Sequence, residues 1–262
     1  MKSPLTVAAL QMATSADVEQ NAQKLHGAID RAADAQAELL VVPECALSGY
    51  LPERDLNFDA LQAAQDALVA HASQRRLWLA LGTTRRRDDA WFNSALLFSP
   101  DGRLAAAYDK TQLTEGDRAL FKAGDELPVF RVGEWTVGLQ VCFDMRFPEN
   151  WRILRRQGAE AILHMSSASA GAAWKVPVLE GTVRCRAAEN GMFVVSANDA
   201  RVPQMLVSAI CDPDGKHLAS AEENVEMMIT ATLDRKAVKS DFLAERRTDI
   251  WRRPEFQRLL LE

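Results

Sequence analysis

The residues that most often announce a function are scarce in this chain. Histidine occurs four times in 262 residues (His26, His71, His164, His217), and cysteine four times (Cys45, Cys142, Cys185, Cys211), with no CxxC pair. There is no HExxH motif and no Cys/His cluster, so no bound metal is expected. Neither GxxxxGK[ST] nor GxGxxG occurs, which removes the common phosphate-cradling loops. No apolar run approaches the roughly 18 residues that a membrane helix needs. The opening Met1-Lys2-Ser3-Pro4 runs straight into strand-like sequence, without a signal-peptide core. The longest basic block is Arg85-Arg86-Arg87, and Asp plus Glu outnumber Lys plus Arg by 36 to 31, which argues against a dedicated nucleic-acid binder. Scattered thiols in a chain of this length fit a reducing compartment and not a disulfide framework. The expectation is a cytoplasmic protein with neither membrane nor nucleic acid as partner.

What is present is ordinary globular composition, 48% hydrophobic and 26% charged, which excludes a disordered or collagenous chain. Apolar runs alternate with amphipathic stretches. Thr6–Met12 reads as a strand, and a helix follows from Asp17 to about Ala35 with Ala22, Leu25, Ile29 and Ala32 on one face. Strands at 39–42 and 77–83 flank a helix over 61–74, the signature of a layered α/β fold. Pro100-Asp101-Gly102 and Pro213-Asp214-Gly215 each separate two strand-like runs, with Pro setting φ and Gly accepting positive φ. Further strands are expected at 136–141, 161–165, 193–197 and 226–233, with helices from Pro148 and over 174–190. The pattern reads as two similar sheet layers packed together with helices outside. No stretch is rich enough in Gly, Pro or Ser to divide the chain, so residues 1–262 are expected to form one domain, with 234–262 a charged C-terminal arm.

Three polar residues share one kind of position. Glu44 follows the strand 39–42, Lys110 follows 104–108, and Cys142 ends 136–141. Ligand sites of open α/β sheets gather beyond the carboxyl ends of strands. A free cysteine in an apolar run is ordinarily a small core side chain, Glu44 could cap a backbone amide, and Lys110 could be a solvated hairpin lysine. The segment after Cys142 raises its interest: Pro148 suits a first helical turn, making a strand-to-helix elbow that exposes a nucleophile. A thiol with an ordinary pKa near 8.5 needs a base or a cation beside it. Of the histidines only His164 sits near a strand end, so Glu44 as base with Lys110 as cation fits better than a Cys–His pair.

At these positions the sequence resembles the nitrilase, or carbon–nitrogen hydrolase, superfamily. The resemblance rests on Val41-Val42-Pro43-Glu44 with Ser48-Gly49-Tyr50, on Tyr108-Asp109-Lys110-Thr111-Gln112-Leu113, and on Val141-Cys142-Phe143-Asp144-Met145-Arg146-Phe147-Pro148-Glu149. Asn93-Ser94-Ala95, Phe121, Gly124, Arg186-Ala187-Ala188-Glu189-Asn190 and Arg252-Arg253-Pro254-Glu255 support it. The resemblance implies a four-layer α-β-β-α sandwich, a homodimer or larger homo-oligomer, no cofactor, and a Glu44–Lys110–Cys142 triad acting on a small amide. Lys110 and the backbone N–H of Phe143 are the implied oxyanion donors. Many relatives carry a second glutamate where this chain has Asp117, with Glu115 two residues away; the spacing to Arg118 and Phe121 favours Asp117. Arg146 is a candidate grip for a substrate carboxylate, against pairing with Asp144 or Glu149, and Trp174 is a candidate pocket wall. The branch implied is an amidase releasing ammonia, with an N-carbamoyl amino acid amidohydrolase or ω-amidase as alternatives. A catalytically silent binding protein on the same fold is the reading from another class.

Overall fold

The computed structural model of the chain describes residues 3–50, 55–169 and 171–239, and in the C-terminal arm residues 245, 248–254 and 258. Its first sheet has the order β12-β1-β2-β3-β4-β5, comprising β1 (Leu5–Gln11), β2 (Leu39–Val41), β3 (Trp78–Arg87), β4 (Ala90–Phe98), β5 (Leu104–Asp109) and β12 (Met227–Leu233). The second has the order β11-β10-β9-β8-β7-β6, comprising β6 (Val129–Val132), β7 (Trp135–Val141), β8 (Ala161–Ser166), β9 (Phe193–Asn198), β10 (Ala209–Cys211) and β11 (His217–Ser220). β1, β2 and β3 run parallel, as do β7, β8 and β9, and hairpins continue each sheet outward.

Strand side chains alternate between faces. Leu5, Val7 and Ala9 of β1 therefore enter one core while Ala8 and Leu10 enter another. The first core lies between the sheets, where Val41, Ala80 and Leu97 meet Leu139, Leu163 and Val195. The second lies under α1 (Val18–Asp34) and α2 (Phe58–Gln74), and the third lies under α4 (Pro148–Arg156) and α5 (Lys175–Asn190). Three cores separate four layers, which is the expected α-β-β-α sandwich. Burial on both faces explains why these strands read as nearly unbroken apolar runs. Asp17 and Asn57 start α1 and α2 by accepting two backbone N–H groups each.

Two details aim the sheets at one site. The parallel bridge Met12–Asp199 joins the carboxyl ends of β1 and β9, so the carboxyl ends of both sheets open on the same side. A Cβ on Gly82 would lie 2.1 Å from the Pro43 carbonyl oxygen, so only glycine lets β3 pass the turn that carries Glu44. Of the arm, the structure describes a 3-10 turn at Arg235–Ala237 and a helical turn at Thr248–Trp251. Glu255 of the terminal motif lies outside the described residues.

Candidate active site

Glu44 and Lys110, from β2 and β5 of the first sheet, are both fully buried. Lys110 Nζ donates to Glu44 Oε1 and to Asp117 Oδ2, each at 2.8 Å. A buried ammonium survives only with such partners. Burial works against its charge, but Glu44, Cys142 and Asp117 outweigh it and hold the lysine pKa well above normal. Two of the three N–H groups are engaged, leaving one for a substrate oxygen.

Asp117, not Glu115, occupies the second acidic position: it is fully buried, whereas Glu115 is exposed. It closes a capping box on α3 (Glu115–Arg118), with Asp117 Oδ2 accepting from Thr114 N at 2.9 Å and Thr114 Oγ1 accepting from Asp117 N at 3.1 Å. Burial pushes its pKa up, yet Lys110 and the Thr114 donors bring it below the usual carboxylate value. Tyr50 donates to Asp117 Oδ1 at 3.0 Å. Asn93 Nδ2 donates to Glu44 Oε1 at 2.7 Å, while Glu44 Oε2 has no partner among the described residues. Neither Tyr50 nor Asn93 was expected to touch these groups, although both belong to quoted motifs.

Cys142 comes from the second sheet. It follows β7 with φ of +46°, begins a 3-10 turn over Cys142–Arg146, and is partly exposed. A non-glycine residue in that conformation costs about 1–2 kcal/mol. Three neighbours hold the turn. Arg186 Nε donates to the Met145 carbonyl at 2.9 Å, Trp151 Nε1 to the Asp144 carbonyl at 3.2 Å, and His164 Nε2 lies 3.3 Å from the Cys142 carbonyl. His164 therefore meets the backbone of Cys142. Burial drives its pKa down to about 4, and its other nitrogen is 2.9 Å from Ser196 Oγ, so it is neutral and structural. The thiol itself is pushed up to about 12, first by burial and then by Glu44, with Lys110 opposing. Lys110 favours the anion, but burial and Glu44 outweigh it.

Asp144 ties the two halves together. Its Oδ2 accepts from Tyr108 OH at 2.7 Å and Val141 N at 2.8 Å, and its Oδ1 from Gln112 N at 2.9 Å and Thr111 Oγ1 at 3.2 Å. One fully buried carboxylate thus fixes the Lys110 loop against the cysteine elbow; burial raises its pKa to about 6 despite these donors.

A cavity of about 210 Å³ opens over Cys142, with Phe143, Met145, Leu179 and Met205 in its wall. Arg146 and Lys175 are its charged lining residues, and among the described residues no acid lines it. Arg146 is exposed, and it is not among the partners of Asp144. Trp174 is 65% exposed and does not line the cavity; Lys175, one residue on, takes that place. A larger depression of about 570 Å³ beside α2 contains Arg85 and Arg86, and its described lining includes no cysteine. Among the described residues no group of His, Cys, Asp and Glu could hold a metal, and no helix is long and apolar enough to cross a membrane.

The four-layer sandwich is the fold of a solved nitrilase-superfamily amidase from Nesterenkonia, on which the chain superposes with a TM-score of 0.82 over 95% of its length. The chain belongs to the carbon–nitrogen hydrolase family, whose model matches residues 6–241. It is 33% identical to a hydrolase encoded in the pqqF 5' region of Pseudomonas protegens, over 90% of this chain and 86% of that protein. It is 30% identical to 2-oxoglutaramate amidase of Paenarthrobacter nicotinovorans, over 82% and 80%. Among solved structures it superposes with a TM-score of 0.83 on a mutant amidase from Nesterenkonia sp. AN1, with 26% identity over 95% of each chain. That structure shows covalent addition of the acetamide moiety of fluoroacetamide at its active-site cysteine. The chain is a carbon–nitrogen hydrolase.

Proposed function

We propose that this enzyme is an amidase releasing ammonia from a small, carboxylate-bearing amide through a thioester on Cys142. The observation that carries the reading is the fully buried Oε2 of Glu44, which no donor among the described residues engages. Glu44 takes the thiol proton as sulfur attacks the carbonyl carbon, and the spare N–H of Lys110 with the Phe143 N–H stabilises the oxyanion. Glu44 then passes its proton to the leaving nitrogen, and water activated by Glu44 cleaves the thioester. Asp117 keeps Lys110 in place and charged.

The test is trapping. Wild-type enzyme turning over a poor amide in hydroxylamine should form the hydroxamate with ping-pong kinetics. Glu44→Gln should slow both half-reactions, and intact-mass spectrometry should place any acyl adduct on the peptide holding Cys142. Strictly sequential kinetics with no partitioning would sink the covalent route.

The carboxylate is argued from Arg146 and Lys175, two cations lining a cavity in which no acid appears among the described residues. A guanidinium suits bidentate carboxylate binding. Arg146→Lys should raise KM about tenfold for carboxylated amides and leave neutral amides nearly unchanged. Equal losses for both substrate kinds would assign Arg146 to the elbow instead. This favours an ω-amidase-like substrate, in line with the 2-oxoglutaramate amidase relative.

We also infer a homo-oligomer in a reducing compartment. Ile153 of α4 and Val178 of α5 are exposed on helices that pack together, and all four cysteines are unpaired. A monomer in sedimentation velocity at micromolar concentration contradicts the oligomer.

A further inference from the structure

Ser166 closes β8 beside the cysteine elbow. The parallel register pairs Gln140 with His164 and Val141 with Met165, so the next step sets Cys142 alongside Ser166. Ser166 is fully buried, and its Oγ has no hydrogen-bond partner among the described residues. A buried hydroxyl without a partner is costly, and selection has little reason to keep one where alanine would fit.

Everything around it is fixed. The Ser166 carbonyl accepts from Asp199 N at 3.1 Å. Ser167 Oγ donates to buried Asp199 Oδ2 at 3.2 Å and accepts from Arg201 Nη2 at 2.9 Å. Ala168 N donates to Asn198 Oδ1 at 2.8 Å. The hydroxyl of Ser167 is thus used by the fold, whereas that of Ser166 is not. A rigid backbone holds it next to the sulfur.

We infer that Ser166 is a catalytic hydrogen-bond donor, its hydroxyl turning to the Cys142 sulfur as the thiol loses its proton to Glu44. The S–H bond breaks, the proton goes to Glu44 Oε2, and the Ser166 O–H bond stays intact while it donates to the sulfur anion. Such a donor is realised only when charge develops, which is when it accelerates a reaction. Ser166 and the Ser167 N–H join Lys110, the stronger influence, in favouring the anion of Cys142 against burial and Glu44. The inference rests on the reading of Cys142 as nucleophile and deepens it.

Alkylation separates the two, because it needs the sulfur but no substrate. The full chain is treated with iodoacetamide at pH 7.5, and peptide mapping follows Cys142 against exposed Cys185 as internal reference. In wild type Cys142 should react the faster of the two although its thiol is pushed up to about 12, because Glu44 takes the proton as sulfur attacks. In Ser166→Ala its rate should fall about tenfold, with Cys185 unchanged and Tm equal to or above wild type, since an unpartnered hydroxyl has been removed. A Cys142 rate within twofold of wild type overturns the role of Ser166 and leaves the nucleophile standing. A rate loss accompanied by a lower Tm overturns it too, because it marks a structural hydroxyl. If wild-type Cys142 reacts no faster than Cys185, the nucleophile reading fails and takes this inference with it.

Discussion

Lys110→Met should be both inactive and fragile. Methionine fills the space but leaves Glu44 and Asp117, each fully buried, facing one another without the cation that both contact at 2.8 Å. Removing one partner of a buried ion pair costs about 3–5 kcal/mol, because the charge left behind is neither solvated nor paired. Losing an oxyanion donor costs on the order of 10²–10³ in kcat besides. The pH dependence distinguishes this from simple packing damage. In wild type the Asp117 pKa is lowered by folding, so its contribution is present above the unfolded value and is lost as pH falls through the folded one. Without Lys110, burial and mutual repulsion raise the folded carboxylate values above the unfolded ones. Stability is then greatest in acid and is lost as pH rises through the unfolded values toward neutrality. Urea unfolding of Lys110→Met should show a midpoint climbing from pH 7 to pH 5, while wild type does not. A flat profile with full stability would mean that the carboxylates do not depend on Lys110.

Cys142→Ala should abolish turnover while the fold survives, and Cys45→Ala and Cys211→Ala should keep activity wherever they fold. Cys142→Gly adds information that alanine cannot. At φ of +46° both cysteine and alanine are strained, whereas glycine is at ease there. The glycine variant should therefore be dead yet more stable than the alanine variant by about 1 kcal/mol. Calorimetry of the two proteins beside an ammonia-release assay decides it. Retained activity in either variant excludes Cys142 as the nucleophile, and equal stabilities would remove the claim of stored strain.

Much of this site is legible in the sequence, because Glu44, Lys110 and Cys142 each end an apolar strand and such ends converge in a two-sheet fold. Asp117 over Glu115 is legible too: Thr114-Glu115-Gly116-Asp117 has capping-box spacing, which turns the fourth residue inward. Most strands and helices follow from periodicity, whereas β6 is missed, being four residues long with Arg131 inside it. Other features are not local properties at all. The partners of Asp144 at Tyr108, Thr111 and Gln112 lie more than thirty residues away along the chain. The isolation of the Ser166 hydroxyl depends on neighbours brought by β7 and β9. Trp174 and Lys175 differ by one position at a helix start, which sends one side chain outward and the other over the cavity.

In the proposed mechanism the base and the cation belong to one sheet and the sulfur to the other, which makes docking of the sheets an interlock. During synthesis the first 120 residues carry Glu44, Lys110 and Asp117, but nothing for them to activate. When Cys142 emerges it is an ordinary thiol until the seam closes and Asp144 draws the lysine loop onto its elbow. A molecule whose sheets have parted has, for the same reason, no primed nucleophile to spend on bystanders. Reactivity and correct assembly are switched on by the same contact.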